Sequence, residues 1–174
     1  MISTGSLFSR QPAPLLGIDI SSSSVKLVEL GRDKAGALVL ERCAIEPLER
    51  GWITDGNIEK FDEVADAVRR VVKKSGAKTK NVAMALPPSA VITKKIVLPA
   101  GMNDQELEVQ VESEANQYIP FSLDEVSLDF CVIGPCKSSP GDVDVLIAAS
   151  RREKVQDRQG LAEAAGLKAV IIDV

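Results

Sequence analysis

The sequence of 174 residues contains no histidine and only three cysteines. Without histidine, the chain cannot activate a nucleophile through an imidazole, and most zinc sites are excluded as well. Cys43, Cys131 and Cys136 are an odd number without the spacing of a metal site, so we interpret them as free thiols of a cytosolic protein. No apolar run reaches the ~20 residues that span a bilayer.

The sequence also lacks a concentrated basic stripe. Its formal net charge is −4, and we interpret the short basic clusters at 69–70, 73–74 and 151–152 as solvated helix faces. Nucleic acid is therefore not an expected partner. Hydrophobic residues make up 45% and charged residues 26% of the chain, which is typical of a globular protein. Residues 1–14 carry no long apolar block, so we expect a mobile tail rather than a secretory signal.

Three apolar-rich runs follow this tail. They lie at 15–20, 25–30 and 37–46, separated by SSSS and GRDKAG. Such short polar connections are typical of hairpins, so the pattern predicts a three-stranded antiparallel meander.

A helix and a buried strand are predicted next, after the turn signal Asp55-Gly56. Apolar residues from Phe61 to Val72 recur at helical spacing, and Gly76 marks the end of the helix. The run at 81–86 is apolar on both faces, as in a strand inside a sheet. The predicted order is therefore β-β-β-α-β.

Residues 87–150 differ in pattern, and we interpret them as an inserted lobe. Its helix begins after Asn103, with Glu106 in capping-box position, and ends at Pro120. The apolar stripe of this helix consists of Leu107, Val111, Ala115 and Tyr118. Strands are predicted at 91–99, around 126–133 and at 143–149, followed by a helix at 152–165 and a strand at 167–174.

Two stretches resemble a known family: GIDISSSSVKLVEL at 17–30 and EANQYIPFSLDEVSLDF at 114–130, with support from VAMALPPSAVITKKIVLP at 82–99. The sequence resembles, from about Leu15 to Val174, the PilM family of type IV pilus assembly proteins, which is related to the cell-division protein FtsA. The resemblance implies an α/β, actin-like ATPase (ribonuclease H-like) fold. Residues 15–86 and 151–174 would form subdomain IA, and 87–150 an inserted FtsA-type IC subdomain. We expect the second lobe to lie outside this sequence.

The same resemblance implies ATP and Mg²⁺ as cofactors of the intact protein. A phosphate would contact the turn formed by Ser21, Ser22, Ser23 and Ser24, where amide and hydroxyl donors are close together. Asp19 would face Mg²⁺ through water. Lys26 would contact the phosphate or else be a solvated lysine.

Other interpretations of these residues stay open. Taken alone, SSSS is a polar hairpin, and Ser21 stands where the family usually has Gly. Asp173 lies near the expected crevice, but a strand-terminal acid is more often a cap. These residues provide no clear base for hydrolysis beyond Asp19, so we do not expect enzymatic activity from this chain alone.

The exit of the inserted helix carries Tyr118, Ile119 and Phe121, which we expect to line a groove for a partner peptide. The alternative is that they form the core of the lobe. The resemblance implies that the groove between IA and IC binds the N-terminal cytoplasmic segment of PilN, an inner-membrane protein. The protein would then act at the cytoplasmic face of the inner membrane in pilus biogenesis and twitching motility, attached to the membrane only through its partner.

Two alternative functions, and the possibility of a homo-oligomer, also stay open. An FtsA-like cell-division protein would use the inserted lobe for filament contacts, so a homo-oligomer is compatible with the sequence. An enzyme of the sugar or acetate kinase superfamily would need a substrate acid or base from the second lobe.

Overall fold

The computed structural model describes residues 14–174. Its strands are β1 (Leu16–Ile20), β2 (Ser24–Arg32), β3 (Leu38–Pro47), β4 (Ile53–Thr54), β5 (Asn57–Ile58), β6 (Asn81–Ala85), β7 (Val91–Pro99), β8 (Val126–Pro135), β9 (Asp142–Arg151) and β10 (Lys168–Asp173). Its helices are α1 (Phe61–Ser75), α2 (Asp104–Tyr118) and α3 (Arg152–Ala164), with single 3-10 turns at Pro88–Ala90 and Leu123–Glu125. Apart from Pro14, the tail predicted at 1–14 lies outside the described residues.

A five-stranded sheet in the order β10-β6-β1-β2-β3 is the larger layer. The predicted meander is confirmed, because β1, β2 and β3 pair antiparallel in sequence. The run predicted to be a buried strand, β6, lies between β1 and β10 and pairs parallel with both. Parallel pairing brings the carboxyl ends of β1, β6 and β10 to one edge of the sheet.

Helices α1 and α3 cover one face of this sheet. The core between them includes Leu16, Leu27, Val68, Val82 and Leu161, all at most 1% exposed. Side chains alternate along a strand, so the intervening residues point to the opposite, open face. Asp19 belongs to this second set, and its side chain is 61% exposed. The carboxylate of Asp19 therefore lies on the open face, whereas its neighbour Ile18 is buried.

One carboxylate is buried on the helix-covered side. Glu29 of β2 is 5% exposed, accepts a hydrogen bond from Thr79 Oγ1 at 2.7 Å and pairs with Arg42 Nη1 at 2.7 Å. The hydrogen bond from Thr79, followed by that from Arg42, holds the pKa of Glu29 below its usual value of 4.5. A buried carboxylate needs such partners to stay ionised.

A three-stranded antiparallel sheet, in the order β7-β9-β8, forms the second layer. Helix α2 packs on one of its faces through Leu107, Val111 and Ala115, as the stripe predicted. The capping box is confirmed, since Asn103 Oδ1 accepts from the amide of Glu106 and the Glu106 carboxylate accepts from the amide of Asn103, both at 3.0 Å. Tyr118, the last member of the stripe, is 44% exposed. The residue boundaries proposed for the lobe, 87–150, stay a prediction.

A small hairpin, β4–β5, was not predicted as strands. Its turn, Asp55-Gly56, has φ values of 50° and 83°, the left-handed pair that a two-residue hairpin of type I′ requires. A Cβ on Gly56 would lie 2.6 Å from Cγ of Pro87, and Ser89 Oγ donates to the carbonyl of Asp55 at 3.1 Å. The hairpin is thus packed against the segment that leads into β7.

Candidate functional site

The serine turn, residues 21–24, connects β1 to β2 and is closed by its own polar groups. Both the amide and the hydroxyl of Ser21 lie 3.0 Å from the carbonyl oxygen of Ser24 and donate to it. The amide of Ser24 donates to Ser21 Oγ at 3.3 Å. Ser22 and Ser23 are exposed. Ser21 has a negative φ, so the backbone does not need the glycine that the family usually has there.

Asp19 and Lys26 lie beside this turn. They are directly opposite each other in the β1–β2 register, and Lys26 Nζ donates to Asp19 Oδ2 at 2.9 Å. The arrangement fits a magnesium ion that keeps its waters, because Mg²⁺ typically takes one or two carboxylates. It also places an ammonium group next to the turn proposed to hold phosphate. The structure thus brings all six predicted nucleotide-site residues together at one end of the β1–β2 hairpin.

A second acidic residue, Asp173, lies at the same carboxyl edge of the large sheet as Asp19. Ile18 is opposite Met84, and Asp173 is opposite Ala85, so Asp19, Ala85 and Asp173 lie side by side on neighbouring strands. Strands are ~4.8 Å apart, which puts the two acidic positions about 10 Å from each other with only a methyl group between them. Asp173 Oδ1 accepts a hydrogen bond from the amide of the next residue, Val174, at 2.8 Å.

A buried arginine lies under this edge and was not anticipated from the sequence. Arg158 of α3 is 3% exposed, and its Nε lies 3.4 Å from the carbonyl oxygen of Ala85. Desolvation by burial lowers the pKa of its guanidinium group. In the sequence of α3, Arg158 has the place of an ordinary polar helix residue, so no local sequence pattern indicated that it would be buried.

A cavity of about 490 Å³ lies where the small sheet meets the β4–β5 hairpin. We call it the junction groove. Its lining consists of Asp55, Asn57, Ser89, Ala90, Val91, Ile92, Ile119, Pro120, Phe121, Val126, Ala149, Ser150, Arg151, Glu153 and Lys154. The apolar wall comes from the exit of α2 and from β7, whereas the hairpin and the start of α3 contribute polar and charged groups.

Two of the three predicted partner residues line the junction groove, and one does not. Phe121 is half-buried at the wall, and Ile119 is 8% exposed in a cluster with Val126 and Ala149. Tyr118 lies outside the lining, and its ring packs 4.4 Å from the ammonium group of Lys94. Ile119 therefore belongs to both the lobe core and the groove wall.

The polar rim of the groove was not foreseen. Arg151 stacks over the ring of Phe121, with 4.2 Å from its guanidinium carbon to the ring centroid, and lies 3.7 Å from Glu153 Oε1. Such a cation–π contact fixes the ring of Phe121. The Asp55-Gly56 pair predicted a turn, which is the turn of the hairpin that forms one wall of the groove. Nothing in the local sequence indicated that Arg151 and Phe121 would be in contact.

Comparison with known sequences decides the family. Residues 17–174 match the family described as "Type IV pilus assembly protein PilM". The chain belongs to the PilM family. The resemblance found in GIDISSSSVKLVEL and EANQYIPFSLDEVSLDF is thereby confirmed.

Solved structures place this PilM-family chain in the same fold. A chain of a "PilM-PilN type IV pilus biogenesis complex" matches with a TM-score of 0.80 and 32% identity over 92% of this chain. The cytoplasmic domain of EpsL, an inner-membrane component of the Vibrio cholerae type II secretion system, matches with a TM-score of 0.56 and 14% identity, also over 92% of this chain. These likenesses confirm the predicted actin-like α/β fold. The PilM-family chain spans 47% of the length of the PilM-PilN complex chain and 57% of the EpsL chain.

Within residues 14–174 of this PilM-family chain, no helix is both long and apolar enough to cross a bilayer. Within the same residues, no three acidic or cysteine side chains are grouped as ligands of a metal ion.

Proposed function

We propose that this PilM-family chain acts as an adaptor in type IV pilus assembly by binding the N-terminal cytoplasmic segment of a PilN-like inner-membrane protein. The junction groove, with Phe121 in its wall, would be the binding site. The protein would be held at the cytoplasmic face of the inner membrane through this partner and would support pilus biogenesis and twitching motility.

The main support for the proposal is the junction groove itself, in a chain of this fold. The groove combines an apolar wall at Ile119 and Phe121 with a charged rim. A few buried anchors dominate binding in such grooves, while a polar rim contributes orientation. The structural relative with 32% identity comes from a complex between a PilM and a PilN, which supports a PilN-like occupant.

Nucleotide binding is a second part of the proposed function. The exposed Asp19–Lys26 pair and the hydroxyls of Ser22 and Ser23 provide charge and hydrogen-bonding groups for Mg–ATP at the end of the β1–β2 hairpin. Groups for the adenine would have to come from outside these 174 residues, since an actin-like site lies between two lobes. The adaptor would therefore bind ATP only in an intact protein, and hydrolysis would be weak or missing.

Peptide binding tests the groove directly. A fluorescein-labelled peptide with the N-terminal sequence of the PilN in the solved complex should bind the chain in a fluorescence polarisation titration without nucleotide. Phe121→Ala should weaken binding about 5- to 150-fold, because loss of one anchor costs about 1 to 3 kcal/mol. Val109→Ala is the matched control, since Val109 is 63% exposed on the outer face of α2.

The variant Tyr118→Ala tests whether the peptide site extends beyond the lining of the groove. Its ring lies outside the lining, so we expect less than a twofold change in affinity. Circular dichroism must show that each variant is folded. Unchanged affinity of a folded Phe121→Ala variant would move the peptide site elsewhere, and a large loss in Tyr118→Ala would extend it along α2.

A further inference from the structure

Lysines are concentrated at the end of the large sheet that lies opposite to the serine turn. Lys73 and Lys74 are in the last turn of α1, and Lys78 and Lys80 are in the connection from α1 to β6. Lys168 begins β10, and its amide donates to the carbonyl of Lys80 at 2.8 Å. All five side chains are exposed, and no acidic residue occurs between the first four in the sequence. We call these five lysines the basic end.

The basic end is not neutralised by acids of the same chain. In the part of the chain that the structure describes, none of its ammonium groups takes part in an ion pair. The macrodipole of α1 explains Lys73 and Lys74, because cations are favourable in the last turn of a helix. It does not explain Lys78, Lys80 and Lys168, which lie beyond the helix.

Helix α2 of the inserted lobe has the opposite charge and contains no lysine or arginine. Its acidic residues are Asp104, Glu106, Glu108, Glu112 and Glu114, of which the first four are exposed. Among the described residues, none of these acids forms an ion pair. Asp104, Glu108 and Glu112 recur at i, i+4 and i+8, so they form one row along the helix. We call these three residues the acidic row.

The acidic row does not stabilise α2. Like charges four residues apart on a helix repel each other and destabilise it. Asp104 lies in the first turn, where the helix macrodipole favours an acid, but Glu108 and Glu112 lie further along the helix. A cationic surface on another molecule would remove the repulsion.

The basic end and the acidic row lie at opposite ends of the chain's fold. The chain enters the inserted lobe after the carboxyl end of β6 and leaves it through β9. The basic end, in contrast, lies at the amino ends of the parallel strands β6 and β10. The large sheet therefore separates the two surfaces within one molecule, whereas two copies can bring them together.

We propose that the chain self-associates head to tail, with the basic end of one copy packed against the acidic row of the next. A second copy fits because one molecule carries both surfaces, each exposed and of opposite charge. The contact is heterologous, so each pair keeps one free basic end and one free acidic row to which further copies add. Because the contact is mainly electrostatic, the association is weak and is screened by salt.

Sedimentation velocity measures this association. At about 0.01 M salt the parent chain should form complexes of two or more copies, and at about 1 M salt it should be a monomer. Two triple variants each neutralise one surface and should weaken self-association at least about tenfold. The neutral-end variant is Lys78→Gln, Lys80→Gln and Lys168→Gln, and the neutral-row variant is Asp104→Asn, Glu108→Gln and Glu112→Gln.

A mixture of the two variants distinguishes a direct contact from a general effect of charge. The neutral-end variant keeps its acidic row, and the neutral-row variant keeps its basic end. An equimolar mixture should therefore form pairs but no larger complexes. The control variant removes three exposed cations elsewhere, through Arg50→Gln, Lys60→Gln and Lys137→Gln, and should associate like the parent. Circular dichroism must show that every variant is folded.

Three results would overturn the proposal. The first is a parent chain that stays monomeric at low salt. The second is a mixture of the folded triple variants that forms no pairs, or a control variant that loses as much association as the neutral-end variant. The third is a monomeric parent that sediments with phosphatidylglycerol vesicles while the neutral-end variant does not, since this result would assign the basic end to anionic lipid.

Discussion

Lys26 Nζ lies 2.9 Å from Asp19 Oδ2, so the carboxylate at the end of β1 is paired with an ammonium group from the neighbouring strand. Both side chains are mainly solvent-exposed, at 61% for Asp19 and 48% for Lys26. Exposed ion pairs stabilise a fold by about 1 kcal/mol or less. The pair is therefore expected to contribute little to stability, and its proposed role is in nucleotide binding beside the serine turn.

The first prediction is that this pair can be removed with little loss of stability. Asp19→Asn and Lys26→Met should each change the free energy of unfolding by less than about 1 kcal/mol. The single tryptophan, Trp52, packs against the main core and reports urea unfolding by fluorescence. A loss of more than about 2 kcal/mol in either variant would mean that the pair has a structural role.

The second prediction concerns Mg–ATP. This 174-residue chain should bind it weakly, because a site with one wall leaves the adenine in water. A protein as long as the PilM chain of the solved complex should bind more tightly, and Asp19→Asn in that protein should weaken binding. Isothermal titration calorimetry measures all three affinities. Equally tight binding by the short and the long chains would contradict our division of the site.

The third prediction concerns the buried carboxylate of Glu29. The pKa of Glu29 is lowered in the folded protein, so its contribution to stability is present above the unfolded value near 4.5 and is lost as pH falls through the folded pKa. Glu29→Gln should lower stability at pH 7 by about 1 to 3 kcal/mol, since hydrogen bonds to a charged group are lost. In this variant, the free energy of unfolding should also fall less steeply than in the parent as pH decreases below 4.5.

Exposed Glu49→Gln is the control for this pH series. Urea midpoints from pH 7 to pH 3 should superimpose for the parent and Glu49→Gln, and Glu29→Gln should lie below both at pH 7. If Glu29→Gln shows the same slope with pH as the parent, another carboxylate dominates acid unfolding.

The fourth prediction uses two glycines with nearly the same backbone. Gly56 and Gly36 have φ values of 83° and 85°, but only at Gly56 would a Cβ meet a neighbour, Pro87 Cγ at 2.6 Å. Both changes to Ala carry the cost of a left-handed residue, about 1 kcal/mol or more. Gly56→Ala must in addition displace the β4–β5 hairpin from the junction groove. We expect weaker peptide binding by Gly56→Ala in the polarisation assay, with Gly36→Ala like the parent; equal affinities would show that the hairpin does not shape the peptide site.

Local sequence predicted the regular elements of both layers well, because their signals lie within a few residues. The capping box at Asn103 and Glu106 and the glycine end of α1 at Gly76 depend on hydrogen bonds to near neighbours. The alternating runs of β1 and β2 similarly reflect burial on one face, whereas β6, which is apolar on both faces in sequence, is buried only at Val82 and Met84. The serine turn is also local, since only residues 21–23 separate β1 from β2.

The hairpin β4–β5 could not be predicted from such local sequence signals. Each strand has two residues, too few for an alternating pattern, and only the Asp55-Gly56 turn marked its position. The hairpin is held in place by Pro87 and Ser89, more than thirty residues further along the chain.

The sequence by itself determined the helices and the strands of the two larger sheets and their order, since these follow from periodicity, caps and short connections, whereas the nucleotide-site candidates followed from the resemblance to the PilM family. Only the tertiary structure decided that Phe121 lines the junction groove while Tyr118 lies outside it. Tyr118 is the last residue of α2 and Phe121 follows it by three positions, so composition and spacing do not distinguish them. Their different surroundings arise from distant partners, Arg151 over Phe121 and Lys94 beside Tyr118, which come together only when α2 packs on the small sheet.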